Sequence, residues 1–235
     1  MAGTNRELSV LRRVLRIAKE WRVIQSVPVI HTLPGEKVSE RILDHEEEYC
    51  YLAAASPLLR QFAAIAIDTG FRPEEVLKMR WENVKFDPAG NARYGHIHNP
   101  SGKSFRAKRS IPMTARVREL LKAQHESSGR LRWGWVFSGQ DAESHVSYSS
   151  IRSQHVRLIK KLKLKPFRLY DMRHTFLTRL GESGADAFTI QKMAGHSSIV
   201  VSTRYVHPTP ERVEDAMSRL EKYNQRQSEV TIATG

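Results

Sequence analysis

The sequence predicts an α+β fold, mainly helical, with one small three-stranded antiparallel sheet. Two observations carry that prediction. Apolar residues recur at the spacing of amphipathic helices through most of the 235 residues. Between Trp81 and Pro112 the pattern changes to period two: Val84, Phe86, Tyr94, His96, His98 and Ile111 alternate with polar residues. Pro88, Gly90, Asn91, Pro100 and Gly102 mark turns within that stretch.

From the N-terminus, residues 5–20 read as a helix with Val10, Leu11, Val14, Leu15 and Ala18 on one face and arginines on the other. One such helix is marginal alone and needs a partner for its apolar face. It belongs to a leading piece, residues 1–26, and Pro28, Pro34 and Gly35 mark residues 27–40 as a linker. The main domain, residues 41–228, opens at Asp44, which caps a helix and has Glu47 three residues later to complete a capping box. Glu46, Glu47 and Glu48 suit the positive end of that helix. Helices at 57–69 and 73–79 precede the sheet. Helical patterns return at Thr114 and run to the end, broken near 129–139 and at Lys165 and Pro166. Segment 209–224 carries Val213, Met217 and Leu220 on one side, and residues 229–235 read as a flexible tail.

Composition narrows the function. Hydrophobic residues make up 40% and charged residues 27%, ordinary for a soluble globular protein. The 38 basic against 25 acidic residues, a net charge of +13, is not ordinary and makes a polyanion the first partner to consider. One cysteine, Cys50, excludes an internal disulfide and a cysteine-based zinc cluster, and fits a reducing cytoplasm. No run approaches the roughly 20 apolar residues of a membrane span, and the arginine-rich start lacks the apolar run of a secretory signal. His96 and His98 share a strand face at ligand-like spacing, but no third ligand lies nearby, so they read as surface or sheet-packing residues. Neither they nor the pair His45 and Glu48 is taken as a metal site, and no cofactor or metal is expected.

The chemistry-bearing residues lie in four short segments: Thr69-Gly70-Phe71-Arg72-Pro73-Glu74-Glu75, Tyr170-Asp171-Met172-Arg173-His174, Ala194-Gly195-His196-Ser197-Ser198 and Thr203-Arg204-Tyr205-Val206-His207. Two arginines, a histidine and a tyrosine in that order suit attack by a phenol oxygen on a phosphodiester. The transition state at phosphorus spreads negative charge over its equatorial oxygens. A guanidinium stays charged and its planar fork holds two oxygens at once. Two converging arginines therefore supply stabilisation where charge develops. A free tyrosine has a pKa of about 10, so Tyr205 needs activation by cationic neighbours or a base.

These segments resemble the tyrosine recombinase, or phage integrase, family over about residues 40–210. The stretch from Asp68 through Arg72 and Glu75 to Trp81 looks like the family's first arginine box. Ser101-Gly102-Lys103, ahead of Arg109-Ser110-Ile111-Pro112, looks like its β-hairpin lysine. The segments around Arg173, His196 and Tyr205 match the second arginine box, the next histidine box and the nucleophile box.

The resemblance implies a tyrosine-recombinase-like catalytic domain. Tyr205 would attack DNA, forming a 3′-phosphotyrosyl link and releasing a 5′-hydroxyl, without ATP or metal. Arg72 and Arg173 would hold the phosphate, with Glu75 supporting. His196 would hydrogen-bond the phosphate. Lys103 would protonate the leaving oxygen, with Lys108 the competing lysine. The implied partner is double-stranded DNA, engaged by phosphate contacts with strong salt dependence, in a bacterial or phage-derived protein of the cytoplasm. A full-length protein would act as a homotetramer on DNA, and the isolated chain's own state, monomer included, stays open. Two other readings share these residues: a type IB topoisomerase-like enzyme, and a DNA-binding module that has lost catalysis.

Two departures from the family stand out. Tyr170 occupies a position where the family usually has histidine. A phenol donates a hydrogen bond to a phosphate oxygen but is no near-neutral acid–base group, so Tyr170 is taken as a phosphate contact. His174, next to Arg173, is read as structural rather than as a replacement for the missing histidine, because adjacent helical residues point about 100° apart. Residues 5–20 resemble only the last helix of the DNA-clamping domain that usually precedes this one, so the chain reads as a catalytic fragment.

Overall fold

A computed structural model of the chain describes residues 2–34, 41–90, 92–100, 108–141, 143–207 and 209–234. It divides into two compact units, residues 1–40 and 41–235. In the first, helix α1 (Ala2–Glu20) is joined by the extended segment that follows it. The Asn5 side chain makes a two-way pair with Leu33: Nδ2 donates to the carbonyl at 3.1 Å and Oδ1 accepts from the amide at 2.7 Å.

The second unit is built around α3 (Pro57–Thr69), buried on nearly every side through Leu59, Phe62, Ala63, Ala64, Ile65, Ala66 and Ile67. A helix apolar all round belongs at the centre of a core. Helix α2 (His45–Ala54) starts at the predicted Asp44–Glu47 capping box. Gly70 ends α3 in the left-handed conformation (φ 64°). A Cβ there would also come within 2.3 Å of the Phe176 ring, so both backbone and space require glycine.

Helix α4 (Pro73–Leu77) follows, then the sheet of β1 (Val84–Lys85), β2 (His96–Asn99) and β3 (Arg109–Pro112), antiparallel in that order. Ile97 pairs with Ile111 and both are buried, while His98 faces outward with its Nδ1 3.1 Å from Ser110 Oγ. The histidines thus alternate with the core face as sheet-packing residues do. Among the described residues no group of three metal-ligating side chains occurs, and no helix is long and apolar enough to cross a membrane.

The remaining helices are α5 (Ala115–Ser127), α6 (Tyr148–Leu162), α7 (Asp171–Glu182), α8 (Ala187–Ala194), α9 (Val200–Thr203) and α10 (Pro210–Thr234). The strands are shorter than the alternation suggested, leaving Phe86 and Tyr94 outside them. Helix α10 continues to Thr234, through the stretch read as a tail. Residues 211–234 contain no glycine or proline to stop it.

Two polar networks fix the elements that carry the site. Buried Glu48 on α2 pairs with Arg116 of α5 and Arg179 of α7, and Arg116 also pairs with Asp68 of α3. On α6, His155 Nε2 donates to the Phe167 carbonyl at 2.9 Å, so its Nδ1 accepts from Tyr51 Oη at 2.8 Å. That bond anchors the segment entering α7.

Candidate active site

Arg72 sits just before α4, extended (φ −65°, ψ 150°), with Pro73 starting the helix behind it. The Glu75 carboxylate, one turn on, accepts from the Arg72 amide at 2.8 Å and from its Nη1 at 2.9 Å. The local sequence thereby aims the guanidinium while leaving its side chain 35% exposed. Burial pushes the Glu75 pKa up, but hydrogen bonds and charge from Arg109, then Arg72, outweigh it, and the carboxyl lies below its ordinary value.

Arg109, the first residue of β3, is the piece that sequence reasoning used only as a landmark. It is buried, and its guanidinium donates to both Glu75 oxygens (2.8 and 3.1 Å) and through Nε to the Met193 carbonyl (2.8 Å). It also lies 5.0 Å over the Phe71 ring. One side chain therefore ties the Arg72 box, the sheet and the end of α8 together. The signal was present: period two places Arg109 on the same face as Ile111, and both are buried.

Arg173 is 1% exposed on α7. Its Nη1 donates to the Gly70 carbonyl and its Nη2 to the Ala194 carbonyl, each at 2.6 Å. These carbonyls lie at the C-terminal ends of α3 and α8, the negative poles of their dipoles. Burial, reinforced by the charge of Arg72, brings the Arg173 pKa down to about 10, so it stays protonated at neutral pH. Its Nε is buried with no protein partner.

His196 follows Gly195, the left-handed cap of α8 (φ 66°). Its Nδ1 lies 2.9 Å from Ser202 Oγ, which orients the ring. Burial, then the charges of Arg173, Arg72 and Arg109, push its pKa down to about 4, so the ring is neutral at pH 7. Tyr205 is 5% exposed, its ring stacked on His196 with centroids 6.4 Å apart. Tyr170, half exposed at the start of α7, lies edge-on to His174 at 5.2 Å. His174 Nδ1 lies 2.8 Å from Tyr205 Oη. The charges of Arg72 and Arg173 thus act on each other and on His196, the Tyr205 ring stacks on His196, and Arg109 braces the Glu75 carboxylate that holds Arg72. Lys103 lies outside the described residues, and Lys108 is exposed just ahead of β3.

Two expected results follow from this geometry. A Cβ at Gly181 would stand 1.9 Å from the Tyr205 carbonyl oxygen, a backbone atom that cannot rotate away. Gly181→Ala should displace the Tyr205 segment and slow its chemistry by about 100-fold, the cost of roughly 1 Å of misplacement. Adduct-formation rates with DNA affinity measured alongside would check this.

The second concerns pH. His155, by burial, and His196 both have folded pKa values below the unfolded value of about 6.5. Between those values the unfolded chain binds more protons, so this stability is complete above about pH 6.5 and is lost as pH falls toward the folded values. The melting temperature should fall between pH 7.5 and 5, and a flat or rising Tm there would contradict the neutral imidazoles.

Comparison with known proteins identifies the family and the fold. The phage integrase family model matches residues 35–212. The integrase of Salmonella phage P22 is 23% identical over 221 residues, covering 88% of this chain and 54% of that protein. The chain spans about half the length of such relatives. Among solved structures, the Tn1549 transposon integrase in complex with circular intermediate DNA superimposes with a TM-score of 0.71 at 20% identity, covering 92% of this chain and 78% of that one. XerA recombinase gives 0.60 at 19% identity, covering 88% and 73%. The fold is that of these recombinases, the helical architecture with its small three-stranded sheet agrees with the sequence prediction, and the chain belongs to the phage integrase family.

Proposed function

We propose that residues 41–228 form the catalytic domain of a site-specific DNA recombinase, cutting and rejoining strands through a 3′-phosphotyrosyl intermediate. The observation that carries this reading is the convergence of Arg72, Arg173 and a neutral His196 beside the buried Tyr205 phenol. The arginines bind the non-bridging oxygens of the scissile phosphate and stabilise the charge that develops there. His196 adds a hydrogen bond. Tyr170, at the positive end of α7, contacts the same phosphate. Tyr205 Oη attacks phosphorus, the P–O5′ bond breaks, and Lys103 protonates the departing 5′-oxygen. The broken ester is stored as the phosphotyrosyl bond, so a 5′-hydroxyl from a second strand completes the exchange. The guanidinium groups supply the positive charge the step needs, so the scheme requires no metal.

Duplex DNA is the proposed substrate, and the Tn1549 and P22 relatives, from a transposon and a phage, support it. A homotetramer on DNA and action in a bacterial cytoplasm complete the proposal. A randomised duplex library carrying a nick tests the reading, because loss of the short fragment between the cleavage point and the nick, with its 5′-hydroxyl, traps the intermediate. The protein should accumulate a covalent adduct at the 3′ end of the cut strand, unaffected by EDTA, and sequencing the trapped DNA gives the site. Religation to a partner duplex separates recombination from a topoisomerase-like cycle. No adduct from any sequence would contradict the proposal.

A further inference from the structure

We infer that His174 is the proton acceptor for the Tyr205 nucleophile and returns that proton when the strand is rejoined. The inference rests on the function proposed above and assigns the base that function lacks. Its first support is contact: His174 Nδ1 lies 2.8 Å from Tyr205 Oη, in a buried setting where both side chains are less than a tenth exposed. General acid–base catalysis needs this reach to the proton that moves.

Its second support is the poverty of the alternatives. Arg72 and Arg173 carry guanidinium groups, which donate hydrogen bonds and accept none. His196 has its Nδ1 committed to Ser202, and burial, then the surrounding arginines, make its ring a weak base. Tyr170, where the family resemblance implies an imidazole, is a phenol and no better a base than the nucleophile itself. Its ring edge packs instead on His174 at 5.2 Å. The offset of about 100° between neighbouring helical positions, which argued against His174 in the sequence, turns out to serve it. Arg173 points to the carbonyl ends of α3 and α8, while His174 points to the segment carrying Tyr205. One turn of α7 thus supplies two different walls of the site.

The step balances without any further reactant. With Nε2 carrying the ring proton, Nδ1 takes the proton from Tyr205 Oη as the Oη–P bond forms and the P–O5′ bond breaks. The leaving 5′-oxygen takes its proton from Lys103. In rejoining, the incoming 5′-hydroxyl attacks phosphorus, the Oη–P bond breaks, and the His174 imidazolium returns its proton to Oη.

The test is single-turnover adduct formation on a nicked duplex of the sequence trapped from the library. His174→Gln keeps a polar side chain of similar size but accepts no proton into a cation. Its rate should fall by at least about 100-fold, with DNA affinity within about threefold of wild type. Fluorination of the Tyr205 ring supplies a readout that a structural role would not move, because it acidifies the phenol and relieves the need for a base. With 3,5-difluorotyrosine at position 205, the H174Q rate should recover at least tenfold and the wild-type rate should change less than threefold. A His174→Gln rate within threefold of wild type overturns the inference alone, and so does fluorination that shifts both proteins equally. Absence of any wild-type adduct overturns the proposed function and this inference together.

Discussion

Tyr205→Phe is expected to form no covalent adduct with nicked duplex DNA under conditions where the wild type converts most of it. The substitution removes the single atom proposed to bond phosphorus, so a loss beyond detection is the expected magnitude rather than a fractional one. The fold should survive it. The ring keeps its stacking on His196, and the buried hydrogen bond to His174 is lost, at a cost of about 1–3 kcal/mol for the ring nitrogen left behind. DNA affinity should stay within about threefold, since binding draws mainly on phosphate contacts spread over a basic surface. A gel-shift titration beside the trapping assay separates the two effects. An adduct that persists in Tyr205→Phe would mean another group is the nucleophile.

Arg173→Lys is the second large expected effect. Lysine keeps the charge but not the fork, and Arg173 spends two of its nitrogens on the Gly70 and Ala194 carbonyls. An ammonium cannot hold both and still face a phosphate with fixed geometry. Adduct formation should drop by about 10³-fold, as when an oriented donor is removed from an active site, with most DNA binding retained. Arg173→Ala should lose as much activity and also stability, because two buried carbonyls are left unpaired at about 1–3 kcal/mol each. Comparison of the two by circular dichroism melts and trapping rates distinguishes lost chemistry from lost folding. If either variant instead abolished binding and left chemistry per bound complex intact, the electrostatic role would be wrong.

Local rules made much of the fold legible. The Asp44–Glu47 capping box, the glycine at position 70 and the proline after Arg72 are short-range features, and the chain obeys them. The sheet was visible as a change of period, though not the short extent of β1. Arg72 and Glu75 came together through the family resemblance, and the structure pairs them three residues apart. What escaped the sequence is what joins distant segments. Arg109 is one basic residue among 38; period two puts it on the buried face with Ile111, but its partners Glu75 and Met193 lie 34 and 84 residues away. Gly181 reads as an ordinary helical glycine until the Tyr205 carbonyl is found against it. His174 and Tyr205 are 31 residues apart, and the helical-wheel argument that set His174 aside considered only its own helix. The site's second wall comes from a later segment folded over α7, and no pattern within α7 announces it.

The central claim is that Tyr205 itself becomes the phosphotyrosine, and peptide mapping of the trapped adduct tests it most directly. After nuclease digestion and trypsin cleavage, mass spectrometry should find residues 205–212 carrying a nucleotide through its 3′-phosphate, with fragmentation placing the added mass on Tyr205. A nucleotide on any other residue, or one attached through a 5′-phosphate, would contradict the account.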